Sequence, residues 1–214
     1  MSFLAGIYGA GGCGRGIMPL VRGQVPEGTS LVFIDDGVEG QLINGHRVLS
    51  WERFLAEPAD SRSAFLAVAD SRIRERLYER CSREGVEVAG IRAVNSVEMD
   101  DVQIGPGALI SPFVTLTSNI RIGRCFHANL YSYVEHDCRI GDFVTFAPAV
   151  CCNGNVHIED HAYIGTAAVL KQGRPDKPLV IGKGAVIGMG AIVTKDVAPG
   201  AVVVGNPARP MVRD

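Results

Sequence analysis

The sequence contains no long Lys or Arg run, no CxxC pair and no apolar stretch near the ~18 residues a bilayer span needs. Each absence removes a class of function. Without basic runs, and with a formal net charge of −2, nucleic acid is not the expected partner. Six cysteines (13, 81, 125, 138, 151, 152) without paired spacing argue against a disulfide framework and a zinc knuckle. The opening residues Met1 to Gly6 lack the positive n-region of a secretory signal and run into a glycine turn. The expectation is a cytoplasmic protein with reduced thiols. Otherwise the 214 residues are ordinary for one large domain or two small ones, 47% hydrophobic and 21% charged.

Up to about residue 92, strand and helix patterns alternate. Leu4 to Tyr8, Ser30 to Ile34, Ala64 to Val68 and Val86 to Ile91 read as strands. A Pro-interrupted segment through Val21, residues 51–56 and residues 71–84 read as helices. The last is the clearest, with Ile73, Leu77 and Cys81 at four-residue spacing. This alternation predicts a small parallel α/β unit, Rossmann-like in character.

After Val94 a period of six takes over. Positions 104, 110, 116 and every sixth residue to 170 hold Ile, Ile, Leu, Ile, Ala, Val, Ile, Phe, Cys, Ile, Ile and Leu. Residue i+1 is often a turn former (Gly105, Gly123, Asn129, Gly141, Asn153, Gly165), and residue i+4 is mostly small or β-branched. The segment from Gln172 to Pro178 breaks the phase, which resumes at Ile181, Ile187 and Val193. Helices and flat sheets have no period of six. A three-faced solenoid does, with position i inward and three hexads per 18-residue coil. Cys138 and Cys152 fall on small or inward positions of this repeat. The domains predicted are residues 1–93 and 94–214. Open coil ends and flat faces predict self-association, for which this motif's usual answer is a trimer.

Coil arithmetic brings distant residues together. His136 is an outward i+2 position, and one coil later the equivalent residue is Gly154, stacked roughly 5 Å away. An outward imidazole beside a glycine that lets a ligand approach, flanked by Glu135 and Asp137, suits proton transfer. Either carboxylate could orient the ring. His127, His157 and His161 could be imagined as zinc ligands, but they show no compact ligand spacing. His46 falls in an exposed Asn44-Gly45-His46 turn.

The loop Gly9-Ala10-Gly11-Gly12-Cys13-Gly14 follows the first strand, where backbone N–H groups can hold a phosphate. Asp35 and Asp36 end the second strand, where a ribose hydroxyl would be held. Together they predict a nucleotide site. A redox dinucleotide enzyme is disfavoured because the α/β unit ends near residue 92, so the nucleotide reads as a substrate handle.

The segments Ile7 to Gly14, Phe33 to Asp36, Val134 to Cys138 and Gly205 to Arg209 resemble the NeuD/PglD family of sugar acetyltransferases over nearly the whole chain. The resemblance implies a left-handed parallel β-helix after the α/β domain, a homotrimer with active sites at subunit interfaces, and acetyl-CoA as co-substrate without a metal. It implies acetyl transfer to a UDP- or GDP-linked 4-amino-4,6-dideoxysugar in bacterial surface-glycan synthesis. It places the catalytic histidine on His136, supported by Glu135 and Asp137, with the Gly154 amide facing the thioester. It assigns Gly9, Gly11, Gly12, Cys13, Asp35, Asp36, Asp70 and Asn129 to the nucleotide sugar. Gly154, Gly165, Thr166, Gly205, Pro207 and Arg209 fall to coenzyme A. The chain departs from the family pattern at Cys13, Ala69-Asp70 and Thr145, where histidine, Gly-Asn and histidine are common. Two rival readings are a sugar O-acetyltransferase of the sialic acid type and a non-catalytic nucleotide-sugar-binding solenoid.

Overall fold

The computed structural model describes residues 2–211, divided into two compact units that meet between Ile91 and Arg92. The first unit is a six-stranded sheet flanked by three helices. In chain order it holds β1 (Phe3–Tyr8), α1 (Gly12–Arg22), β2 (Ser30–Ile34), β3 (Leu42–Ile43), β4 (His46–Leu49), α2 (Trp51–Ala56), β5 (Ser61–Leu66), α3 (Ser71–Arg83) and β6 (Glu87–Val88). The strand order is β3-β4-β2-β1-β5-β6, parallel apart from the β3–β4 hairpin. Ile7, Phe33, Ile34 and Leu66 are buried in β1, β2 and β5, as a parallel sheet with covered faces requires.

Three local expectations are corrected here. The segment Val86 to Ile91 is two strands: β6 pairs with β5, whereas β7 (Ile91–Arg92) belongs to a sheet of the second unit. The third main strand runs from Ser61 to Leu66, so Ala67 and Val68 lie beyond it. His46 begins β4 and is half-buried, its Nδ1 3.3 Å from the Leu31 carbonyl oxygen.

The second unit is the expected left-handed parallel β-helix. Three parallel sheets form its faces. The first face holds β7, Leu109–Ile110, His127–Ala128 and onward; the second holds Val97–Glu98, Thr115–Leu116, Tyr133–Val134 and Cys151–Cys152; the third holds Val102–Ile104, Ile120–Ile122, Arg139–Ile140 and Val156–Ile158. Pairing runs 18 residues apart, as in Tyr133 opposite Cys151 and Val134 opposite Cys152. Every hexad position i from Ile110 to Leu170 is buried, and so are the i+4 residues Val114, Cys138, Val144 and Val156. Each hexad therefore sends two side chains into the core. The seven-residue segment from Gln172 to Pro178 stays out of the coil: Ile158 pairs with Ile181, five residues beyond a full turn.

Corners are made in one way throughout. Every sixth residue from Asp101 to Ala167 has φ between 50° and 75°, and all but Gly107 carry a side chain. The left-handed corner is thus at i+3, and the i+1 glycines serve a different need. A Cβ on Gly141 would lie 2.7 Å from the Asp160 nitrogen of the next coil, so these positions are small because stacked turns touch. A left-handed residue with a side chain costs roughly 1–2 kcal/mol, less for Asn and Asp. The edge between the second and third faces uses Asp101, Asn119, Asp137 and Asn155. The edge between the first and second uses Phe113, Tyr131, Ala149 and Ala167.

Candidate active site

His136 stands on the second–third edge, directly after the strand Tyr133–Val134. Its Nδ1 lies 2.8 Å from Asp137 Oδ2, so Asp137 rather than Glu135 orients the imidazole. The left-handed corner at Asp137 (φ 59°) aims its carboxylate at its own neighbour. One coil earlier in the same column, Asn119 Nδ2 donates to Asp137 Oδ1 at 3.2 Å. Hydrogen bonds from His136 and Asn119 hold the Asp137 carboxyl below the usual carboxylate range. An ionised Asp137 accepts a proton-bearing Nδ1, which leaves Nε2 as the free lone pair of the neutral ring.

The other ring edge rests on Gly154. A Cβ there would sit 2.6 Å from both Nε2 and Cε1. The Gly154 N–H donates to Glu135 Oε2 at 3.2 Å, so Glu135 tends the amide while Asp137 tends the imidazole. Tyr133 braces the same turn, its hydroxyl donating to Asn153 Oδ1 at 3.0 Å while Asn153 Nδ2 donates to the Leu170 carbonyl at 2.8 Å. Burial, with Cys151 beside it, pushes the Tyr133 phenol up to about 12, so it remains a donor. Cys138 is fully buried, with its sulfur accepting from the Val156 N–H at 3.4 Å. Among the described residues, no cysteine shares the outward column of His136 and Gly154.

The remaining predicted residues fall into separate groups. Asn129, Gly165 and Thr166 lie at the first–second edge, a different edge of the prism from His136. Asn129 Oδ1 accepts from the Leu130 N–H. Gly205 (φ 89°), Pro207 and Arg209 belong to the antiparallel hairpin between Val202–Val204 and Arg209–Pro210 that ends the first face. In the first unit, Gly9 has φ 99°, and Gly11 and Gly12 begin α1 with nothing beside them. Cys13 is exposed on the first turn of α1. A Cβ on Gly14 would strike the Gly9 carbonyl oxygen, so this glycine lets α1 close onto the end of β1.

The acidic residues carry structural work that the sequence did not reveal. Asp35 accepts from the Ala10 and Gly37 N–H groups at 3.1 Å each, tying the glycine loop to the end of β2. Asp36 Oδ1 accepts from the Trp51 N–H at 2.8 Å at the start of α2, and Arg80 stands 3.9 Å from its other oxygen. Asp70 caps α3 through the Arg72 and Ile73 N–H groups. His127 is on the first face, His157 on the third, and His161 stacks on Phe143 at 5.4 Å. Among the described residues no group of three or more His, Cys, Asp or Glu could hold a metal ion. No helix among them is long and apolar enough to cross a membrane.

An outward His–Asp pair against a stacked glycine, on a left-handed β-helix that follows an α/β unit in the chain, defines a hexapeptide-repeat acyltransferase. The PglD N-terminal domain family matches residues 5–81. GDP-perosamine N-acetyltransferase of Escherichia coli O157:H7 is 52% identical over 98% of this chain and 97% of its own length. The chain belongs to the NeuD/PglD family of acetyl-CoA-dependent sugar N-acetyltransferases. The structure of WeeI from Acinetobacter baumannii AYE is 55% identical, with TM-score 0.96 over 98% of this chain and 100% of that one. The acetyltransferase domain of PglB from Neisseria gonorrhoeae FA1090, solved with acetyl coenzyme A, is 26% identical, with TM-score 0.85 over 97% and 98% of the two chains.

Proposed function

We propose that this enzyme transfers acetyl from acetyl-CoA to the 4-amino group of a nucleotide-linked 4-amino-4,6-dideoxysugar, of the GDP-perosamine type, for a bacterial surface glycan. The observation that carries the reading is His136, held at Nδ1 by Asp137 at 2.8 Å with Nε2 against Gly154. The sugar amine attacks the thioester carbonyl while His136 Nε2 takes its proton. The developing oxyanion takes over the Gly154 N–H from Glu135. The C–S bond breaks, and the proton on His136 passes to the leaving sulfur. Asn119 and Asp137 are positioning residues, acting through the imidazole.

The N-terminal unit is assigned to the nucleotide, through the Gly9–Gly14 loop with Asp35 and Asp36 and through Asp70, and Asn129 to the sugar. Gly165, Thr166, Gly205, Pro207 and Arg209 are assigned to coenzyme A. Because His136 and the group Asn129, Gly165 and Thr166 occupy different edges of one prism, a site using both needs two copies of the chain. A homotrimer, with each site between neighbours, supplies them. The enzyme is assigned to the cytoplasm.

The test is to supply acetyl-CoA with GDP-, UDP- and dTDP-linked 4-amino sugars and follow free thiol. Thiol release with the GDP sugar is expected, and His136→Ala should lower kcat by about 10²–10⁴-fold with coenzyme A affinity nearly unchanged. Unaltered turnover in that variant would overturn the role of His136.

A further inference from the structure

Acids on the solenoid surface are paired with cations of an adjacent coil. Asp101 meets Arg121 at 2.9 Å, Asp142 meets Arg124 at 2.6 Å and Asp160 meets Lys183 at 3.1 Å. Asp137 is held by His136 and Asn119. Glu135 differs. It is half-buried, and among the described residues no Lys or Arg forms an ion pair with it. What it holds is the Gly154 N–H, which donates to its Oε2 at 3.2 Å.

A backbone N–H is a single donor. This one is also the donor that the acyl oxygen needs as negative charge develops on it, and a carboxylate cannot share that place with an oxyanion. An arriving thioester therefore displaces Glu135. The displaced charge stays close to the reaction, because Glu135 and the His136 ring both rest against Gly154. One coil earlier in the Glu135 column, the Thr117 hydroxyl is shielded and has no hydrogen-bond partner among the described residues, so it offers the released carboxylate a donor.

The second substrate supplies the cation that Glu135 lacks. An alkylamine is mainly an ammonium at pH 7, as an α-amino pKa of about 7.7–8.0 illustrates. His136 offers that cation a lone pair, and the Asp137 carboxylate is already engaged at Nδ1. We infer that Glu135 is a binding and specificity residue for the acceptor: released from Gly154 by the donor carbonyl, it holds the acceptor's ammonium beside His136 and so selects a 4-amino over a 4-hydroxy sugar. The role rests on the acetyl-transfer reading above. The ammonium gives one proton to water, its freed lone pair adds to the carbonyl carbon, and a second proton passes to His136 as the C–N bond forms. Glu135 carries neither proton. Because its release needs the donor, each substrate strengthens the binding of the other by the same factor.

The test uses the full chain and the ketone analogue of acetyl-CoA, in which CH2 replaces sulfur and no acetyl group can leave. Binding of the 4-amino sugar nucleotide and of its 4-hydroxy counterpart is measured with and without it. In the wild type the analogue should tighten the amino sugar about tenfold, the worth of one hydrogen bond to a charged group, and the hydroxy sugar less than twofold. Glu135→Gln keeps an acceptor for Gly154 but no charge. It should raise the amino-sugar KM about tenfold, with thermal melting unchanged and the hydroxy-sugar Kd within about twofold. Glu135→Ala empties the amide and should lower the Kd of the analogue about fivefold, one neutral hydrogen bond's worth. An unchanged amino-sugar KM in Glu135→Gln, an equal loss for the hydroxy sugar, a fall confined to kcat, or an analogue Kd that does not drop in Glu135→Ala would each overturn the assignment. So would a wild type in which the analogue leaves amino-sugar affinity unchanged, a result that needs no variant to fold. A wild type that releases no thiol from acetyl-CoA with any 4-amino sugar nucleotide would instead overturn the acetyl-transfer reading.

Discussion

Gly154→Ala tests how closely the His136 site depends on the stacked coil. The backbone at Gly154 lies outside the left-handed region, so a methyl group adds no conformational strain there. Its carbon would lie 2.6 Å from Cε1 and Nε2 of His136 and 3.1 Å from Cδ2. Carbon contacts settle near 3.5 Å, so the ring must retreat by about 1 Å. The imidazole can do so, because 44% of the side chain is exposed. The fold should therefore lose less than the 1–3 kcal/mol typical of overpacking a core. Catalysis should lose far more, since a displacement of that size costs about 10²-fold when a proton must be received at one atom. The assay is thiol release at saturating acetyl-CoA, run beside thermal melting and coenzyme A titration. A kcat within threefold of wild type would refute the reasoning. So would a fall in kcat that follows unfolding, because the imidazole would then not be the group displaced.

Further expectations follow from the same geometry. The Asp137 carboxyl is held below its ordinary value, so its support is present above that value and is lost only as pH falls through the lowered one. Asp137→Asn should therefore cost about 10–10²-fold in kcat equally at pH 7 and pH 8, and Asn119→Ala should cost less. A deficit that disappears at pH 8 in the pH–rate profile would contradict this. Gly141→Ala places a carbon 2.5 Å from Asp160 Oδ1 and 2.7 Å from the Asp160 nitrogen. Overpacking by about 1–3 kcal/mol should lower Tm by roughly 4–10 °C, measurable by circular dichroism.

The solenoid was legible because its period is carried by apolar residues that have no alternative reading, and the 18-residue coil then gave the His136–Gly154 contact. Asn119 lies one coil before Asp137 in the same column, and the same arithmetic run backwards would have found it. The change of sheet between β6 and β7 was not legible, because Val86, Val88 and Ile91 look alike whether they serve one sheet or two. Asp35 and Asp36 read as ribose-binding groups because acids at a strand end suit that site, and Asp70 entered only through the family resemblance; the structural hydrogen bonds all three also make were not legible. Their backbone partners, up to 25 residues away for Asp35, are visible only in three dimensions. The left-handed corners could be expected at Asn and Asp but not at Phe113, Tyr131 or Cys125, where residue type gives no hint of φ.

The three-faced coil also makes site geometry a matter of counting. Deleting one hexad between His136 and Gly154 would rotate everything downstream by a third of a turn, sending Gly154 to another edge and putting an unrelated residue beside the imidazole. Deleting a whole coil elsewhere would shorten the prism and leave each edge in line. The segment from Gln172 to Pro178 escapes that arithmetic: by looping outward at a corner, it lengthens one coil by five residues without turning the faces beyond it, and Lys195 stays on the edge of His136. In such a molecule, indels within the coil are tolerated or destructive according to their length modulo eighteen, whereas a loop extruded at a corner escapes the count.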